Sequence, residues 1–150
     1  MSCSRSNYQQ NEPLLSHFQF SDTMFETSFE KGSLPPSLFT HEAHLRLTWI
    51  YIKKYGEKKA AKKISREIEQ FDTLHGSGDK FHKTITIAAV KVVDHFIGKS
   101  KSTDFKSFIH EFPRLKTAFK ELLHCHYGTE ILISQKAKMR FVEPDLLPFP

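Results

Sequence analysis

Two histidines three residues apart, His41 and His44, open the stretch FTHEAHLRLTWIYIKKYG that runs from Phe39 to Gly56. Residues three apart share one face of a helix, so a pair of imidazoles at this spacing can serve a single ligand, ion or hydrogen-bond network. A third candidate, His82, stands in KFHKTIT, with Thr84 and Thr86 close behind it. Neutral histidine donates from one ring nitrogen and accepts or ligates through the other. Three chemistries follow. In the first, His41, His44 and His82 supply imidazoles to one divalent transition metal (zinc, iron, copper or nickel), and water or substrate completes the shell. In the second, Thr48, Tyr51, Thr86 and His126 line a small-molecule pocket walled by Phe, where His44 and His82 move or share a proton. In the third, the histidines form only a structural hydrogen-bond network within a non-enzymatic helical interaction protein.

Other motifs narrow the field. Neither the H-E-x-x-H spacing nor paired cysteine ligands occur, and no acidic residue shares a core arc with the histidines, which removes the di-iron carboxylate version. No nucleophile elbow or dinucleotide fingerprint is present, and GSG at Gly76–Gly78 is too short for a phosphate cradle and follows a helix rather than a strand. Cys125 falls on the apolar side of a helix, far from any N-terminus that would lower its pKa.

The elements that must position these residues read as helices. MFETSFE has a one-sided apolar pattern, which predicts a short helix over about Asp22 to Lys31, closed by Gly32 and by Pro35 and Pro36. A second is expected from His41 to Tyr55, capped by Thr40 and stopped at Gly56. A third, about Glu57 to Thr73, has a narrow apolar stripe with Lys58, Lys59, Lys62 and Lys63 outside it, the mark of a surface helix. After HGSGD comes a fourth, about Asp79 to Ile97, where the helical period outweighs the β-propensity of its Val and Ile. A short helix over Thr103–Phe112, another from Pro113 to Tyr127 and a last one capped by Ser134 and ending near Phe141 complete the set. EPDLLPFP then closes the chain in extended form. The fold expected is a single all-α, bundle-like domain of five to six helices over residues 17–150, behind a mobile tail over residues 1–16.

At about 100° per residue, each side chain can be placed around its helix. His41, His44 and Thr48 fall within the apolar arc of the second helix, whereas Glu42 and Arg46 fall outside it as an exposed i,i+4 pair. His82 and Thr86 project from the apolar side of the fourth, and Thr84 from its polar side. His126 sits on the apolar face of its helix; His17, His75, His95, His110 and His124 read as surface or loop residues. The second and fourth helices are therefore expected to face each other across His41, His44 and His82.

A chain of 150 residues can bury a real core, and fourteen Phe point to a densely filled one. A net charge of +5, supplied mostly by dispersed Lys, argues against a nucleic-acid footprint. Two cysteines without paired spacing, no secretory signal and no apolar run of membrane length predict a reduced, cytoplasmic protein with no membrane partner. The apolar-rich helices could also pair with a second subunit to form a homodimer.

Together, FTHEAHLRLTW, KFHKTIT and RFVEPDL resemble a family of small, mostly bacterial all-helical proteins to which no function is assigned. The resemblance spans roughly Phe25 to Leu147 and implies that His41, His44, Arg46, His82, Thr84, Thr86, Pro144 and Asp145 match recurring positions. It brings Arg46 forward as a third catalytic candidate beside His44 and His82. Phe81 stands where the family leads one to expect Tyr. For Asp145 the simple structural role is a cap or a salt bridge that fixes the tail.

Overall fold

Short polar side chains sit just ahead of four of the α-helices and accept hydrogen bonds from the first turn, which satisfies N–H groups that have no partner within the helix. Ser21, Thr40, Asp104 and Ser134 all do this in the computed structural model, which describes residues 16–150. The expected tail falls outside the described residues except for Ser16, which is ordered in a capping box: its hydroxyl and the Gln19 side chain close a 3-10 turn over His17–Gln19.

Nine α-helices form among the described residues, five of them seven residues or longer, with no strand. They are α1 (Asp22–Glu30), α2 (His41–Tyr55), α3 (Glu57–His75), α4 (Lys83–Lys99), α5 (Phe105–Glu111), α6 (Arg114–Thr117), α7 (Phe119–His124), α8 (Thr129–Leu132) and α9 (Gln135–Met139). The all-α bundle expected from the sequence is what forms. α2 and α3 meet at Gly56, whose φ of 80° only glycine adopts easily, so the two helices join with no further loop.

Three boundaries differ from expectation. α4 starts at Lys83 rather than Asp79, because the His82 side chain accepts from the Ile85 N–H and so occupies the cap position. The helix expected from Pro113 to Tyr127 breaks at Ala118, whose φ of −136° leaves the helical region. There the Thr117 hydroxyl bonds back to the Pro113 carbonyl at 3.1 Å, a contact that bends helices. Finally, the turn expected at GTEIL closes one helical turn of its own, α8.

α2, α3 and α4 pack against one another, α5 and α6 close over α2, and α9 and α7 lie along α4. Phe25, Leu45, Leu47, Tyr51, Ile64, Val90 and Phe108 are buried in the shared core. α2 is covered on nearly every side, since all residues from Leu45 to Ile52 are buried. The C-terminal segment is strapped down by Tyr127, whose hydroxyl donates to the Val142 carbonyl at 2.6 Å, and by Thr84, which donates to the Arg140 carbonyl and accepts from the Val142 N–H. No helix among the described residues is long and apolar enough to cross a membrane.

Candidate functional site

His82 loses its freedom to the fold. Its Nδ1 accepts from the Ile85 N–H at 3.1 Å, which places the proton on Nε2, and Nε2–H donates to the Leu132 carbonyl at 2.8 Å. Both ring nitrogens are used, so the side chain caps α4 and pins α8 instead of projecting from the middle of a helix face. His41 commits one ring nitrogen: it is exposed rather than on the buried arc, packs its ring 5.0 Å from that of Phe119 and donates from Nε2 to the Leu115 carbonyl at 2.9 Å. Among the described residues no group of three His, Cys, Asp or Glu side chains comes together in a way that could hold a metal ion.

His44 is different. Its Nε2 is sealed from solvent with no hydrogen-bond partner, a state shared among the described residues only with the Ser65 hydroxyl. An unpaired buried polar group costs about 1–3 kcal/mol, so one that persists calls for an explanation. Burial, with a smaller contribution from neighbouring His41, holds its pKa down at about 4, so the ring is neutral at physiological pH. The ring stacks against Phe39 with centroids 5.8 Å apart.

The His44 side chain also separates two cavities. One, of about 390 Å³, opens toward α6 and α7 and is bounded by His41, Leu45, Ala89, Lys116, Phe119 and Lys120 as well as His44. The other, of about 400 Å³, lies toward α3 and the start of α4, where Phe39, Phe71, Phe81, His82 and Thr86 line it. Only His44 and Ile85 border both. The structure thus brings His44, His82 and Thr86 to one cavity and puts His41 on the opposite side of the partition.

The remaining sequence candidates lie elsewhere. Thr48 is buried, but its hydroxyl bonds back to the His44 carbonyl at 2.9 Å within α2. Tyr51 points toward α3 and donates to Glu67 at 2.5 Å, and Glu67 in turn pairs with Lys63 at 2.8 Å; burial first and then the Glu67 hydrogen bond raise the phenol pKa. His126 is half-buried at the far end of the molecule, donates to the Leu147 carbonyl at 2.7 Å and stacks on Phe149. Asp145 accepts from the Gly128 N–H at 2.9 Å, which is the capping role expected of it.

Arg46 is neither exposed nor paired with Glu42. It is 5% exposed, and its guanidinium donates to Asp22, to the His17 and Phe20 carbonyls and to His17 Nδ1, while resting 4.8 Å from the centre of the Phe25 ring. Glu42 turns instead to His17 at 2.8 Å and Lys116 at 2.9 Å. His17, expected on the surface, is only 3% exposed, and burial lowers its pKa despite the neighbouring carboxylate. The helical wheel missed this cluster because the segment over residues 17–22 folds across a face of α2 that would otherwise be solvated. The S-x-x-Q capping box at Ser16–Gln19 was its one legible signal. With every guanidinium nitrogen engaged in the protein, Arg46 is a clamp on the N-terminal turn.

No protein-family model, curated protein or solved structure matches the chain.

Proposed function

We propose that the protein binds a small organic molecule at His44, in the space between α2 and α4, with Nε2 of the neutral imidazole as its polar anchor. The observation that supports this reading is an unpartnered, sealed Nε2 on a side chain that borders two cavities of ligand size. The neutral ring offers a hydrogen bond and no charge of its own, so any charge on the ligand must be met by another group. Phe39, Phe71 and Phe81 supply apolar walls on one side, and Phe119 on the other. The metal reading requires more rearrangement, since His82 would have to release Ile85 or Leu132 before it could ligate. The purely structural reading leaves His44 without a role, because its Nε2 bonds to nothing.

Titration with small hydroxylated or carbonyl compounds, phenol being the first, tests the site by imidazole ¹⁵N NMR. Binding should shift the His44 Nε2 resonance and leave that of His126 unchanged. If compounds bind and only other histidines respond, the site is misplaced. Metal analysis of protein purified without an affinity tag addresses the alternative: stoichiometric metal that disappears in the His44→Ala, His82→Ala double variant would replace the organic ligand with an ion.

A further inference from the structure

The cavity facing α6 and α7 has a charge pattern that its neighbour lacks. Its floor is apolar, formed by Leu45, Ile85, Ala89, Phe119 and Leu123, and no carboxylate lines it. Two lysines, Lys116 and Lys120, stand at its edge, one turn apart on either side of the break at Ala118. Lys116 is already neutralised by Glu42 at 2.9 Å. Lys120 is exposed and has no ion-pair partner among the described residues, although the cavity lies directly beside it. The same cavity is bordered by His44, whose sealed Nε2 lacks a partner. An apolar floor, an ammonium without an ion pair at the rim and a His44 ring in the wall, its unused Nε2 sealed behind that surface, are complementary to one chemical class.

Building on the small-molecule reading of His44, we infer that the ligand is an amphiphilic carboxylate, an alkyl or aryl acid, held on the α6–α7 side of the partition. A turn of the His44 ring brings Nε2–H to the cavity, where one carboxylate oxygen accepts from it, Lys120 closes over the charge on its flexible stem, and the apolar body lies on Leu45, Ile85 and Phe119. Desolvating a carboxylate is costly unless it is both paired and hydrogen-bonded, and this arrangement supplies each. Ile85 and the His44 ring limit the depth to which the body can extend before it enters the second cavity.

The test compares octanoate with octan-1-ol, which share a chain length and differ in charge, by calorimetric titration of the full chain with ¹⁵N NMR of His44. Octanoate should bind about fivefold more tightly or better, and Lys120→Met should remove that advantage while leaving octan-1-ol unchanged. Lys120 is exposed, so this variant tests charge recognition without disturbing the fold. Equal binding of the two compounds, both lost in His44→Leu, would overturn the carboxylate class and leave the His44 site standing. Binding that leaves the His44 resonance unmoved and survives His44→Leu would overturn the class and the site together, as would failure of both compounds to bind.

Discussion

Replacing His44 by Leu should make the protein more stable, and the gain should grow in acid. At pH 7.5 the substitution removes a buried polar atom that bonds to nothing and puts an apolar side chain of similar size in its place. Relief of the desolvation penalty is worth about 1–3 kcal/mol. The acid limb follows from the pKa of about 4, against an ordinary value of 6.5 for the unfolded chain. Between those values the unfolded state binds a proton that the folded state refuses, so stability falls as pH drops from 6.5 toward 4 and levels off below that. Applying the linkage relation to these two pKa values gives a loss of about 2 kcal/mol between pH 7.5 and pH 5. His17, whose pKa burial also lowers, adds a loss of the same sign to parent and variant alike, so the comparison must be the difference between the two proteins. Urea denaturation at both pH values measures it: the variant should lead by about 1–3 kcal/mol at pH 7.5 and by about 2 kcal/mol more at pH 5. A variant less stable than the parent at pH 7.5, or a gap that does not widen in acid, would refute the account of His44 as a neutral, unsatisfied group. A side chain whose removal stabilises the fold is one that packing alone does not explain.

Arg46→Ala should cost about 1–3 kcal/mol, because two backbone carbonyls lose their donors while the half-exposed Asp22 carboxylate turns to water, and limited proteolysis should then cut near Phe18–Phe20. His82→Ala removes both a helix cap and the tie to Leu132, and a loss of about 1–3 kcal/mol in thermal or urea unfolding is expected, with faster amide exchange at Ile85. Thr84→Val keeps the shape of a fully buried residue but releases the Arg140 carbonyl and the Val142 N–H; a loss of about 1–3 kcal/mol should be accompanied by reduced exchange protection at Val142. Equal protection in parent and variant would show that the other ties, from Tyr127 to Val142 and from Gly128 to Asp145, secure this strap without Thr84. Tyr51→Phe should be milder, about 1–2 kcal/mol by the same assay, since Lys63 still pairs with Glu67.

Apolar period and cap chemistry made most of the helical framework legible. Thr40 and Gly56 bracket α2 as their residue types require, and Ser134 caps α9. What failed was the assumption that a helix face poor in apolar residues meets water. Arg46 falls outside the apolar arc of α2, yet the segment that covers it comes from residues 17–22, and nothing in the periodicity of α2 announces a polar partner arriving from elsewhere in the chain. Thr84 likewise lies on the polar side of α4, and its hydroxyl is buried by the C-terminal strap rather than by a helix. His82 shows a second kind of error: an N-cap histidine looks like an interior residue when the helix start is placed four residues early. Of the three histidines expected to meet, two share a cavity, and His44 is the one with a buried nitrogen that bonds to nothing.

The partition formed by His44 and Ile85 has a thermodynamic consequence. The His44 ring borders both cavities while its Nε2 is sealed, so a molecule that turns the ring and takes Nε2 on the α6–α7 side, as proposed above, withdraws it from any molecule on the α3 side. The two volumes then behave as competing receptors for one bond. Linkage makes that competition reciprocal, with each occupant weakening the other by the same factor. A compound confined to the chamber lined by Phe39, Phe71 and Phe81 would therefore act as an antagonist of its neighbour without ever entering the space it blocks.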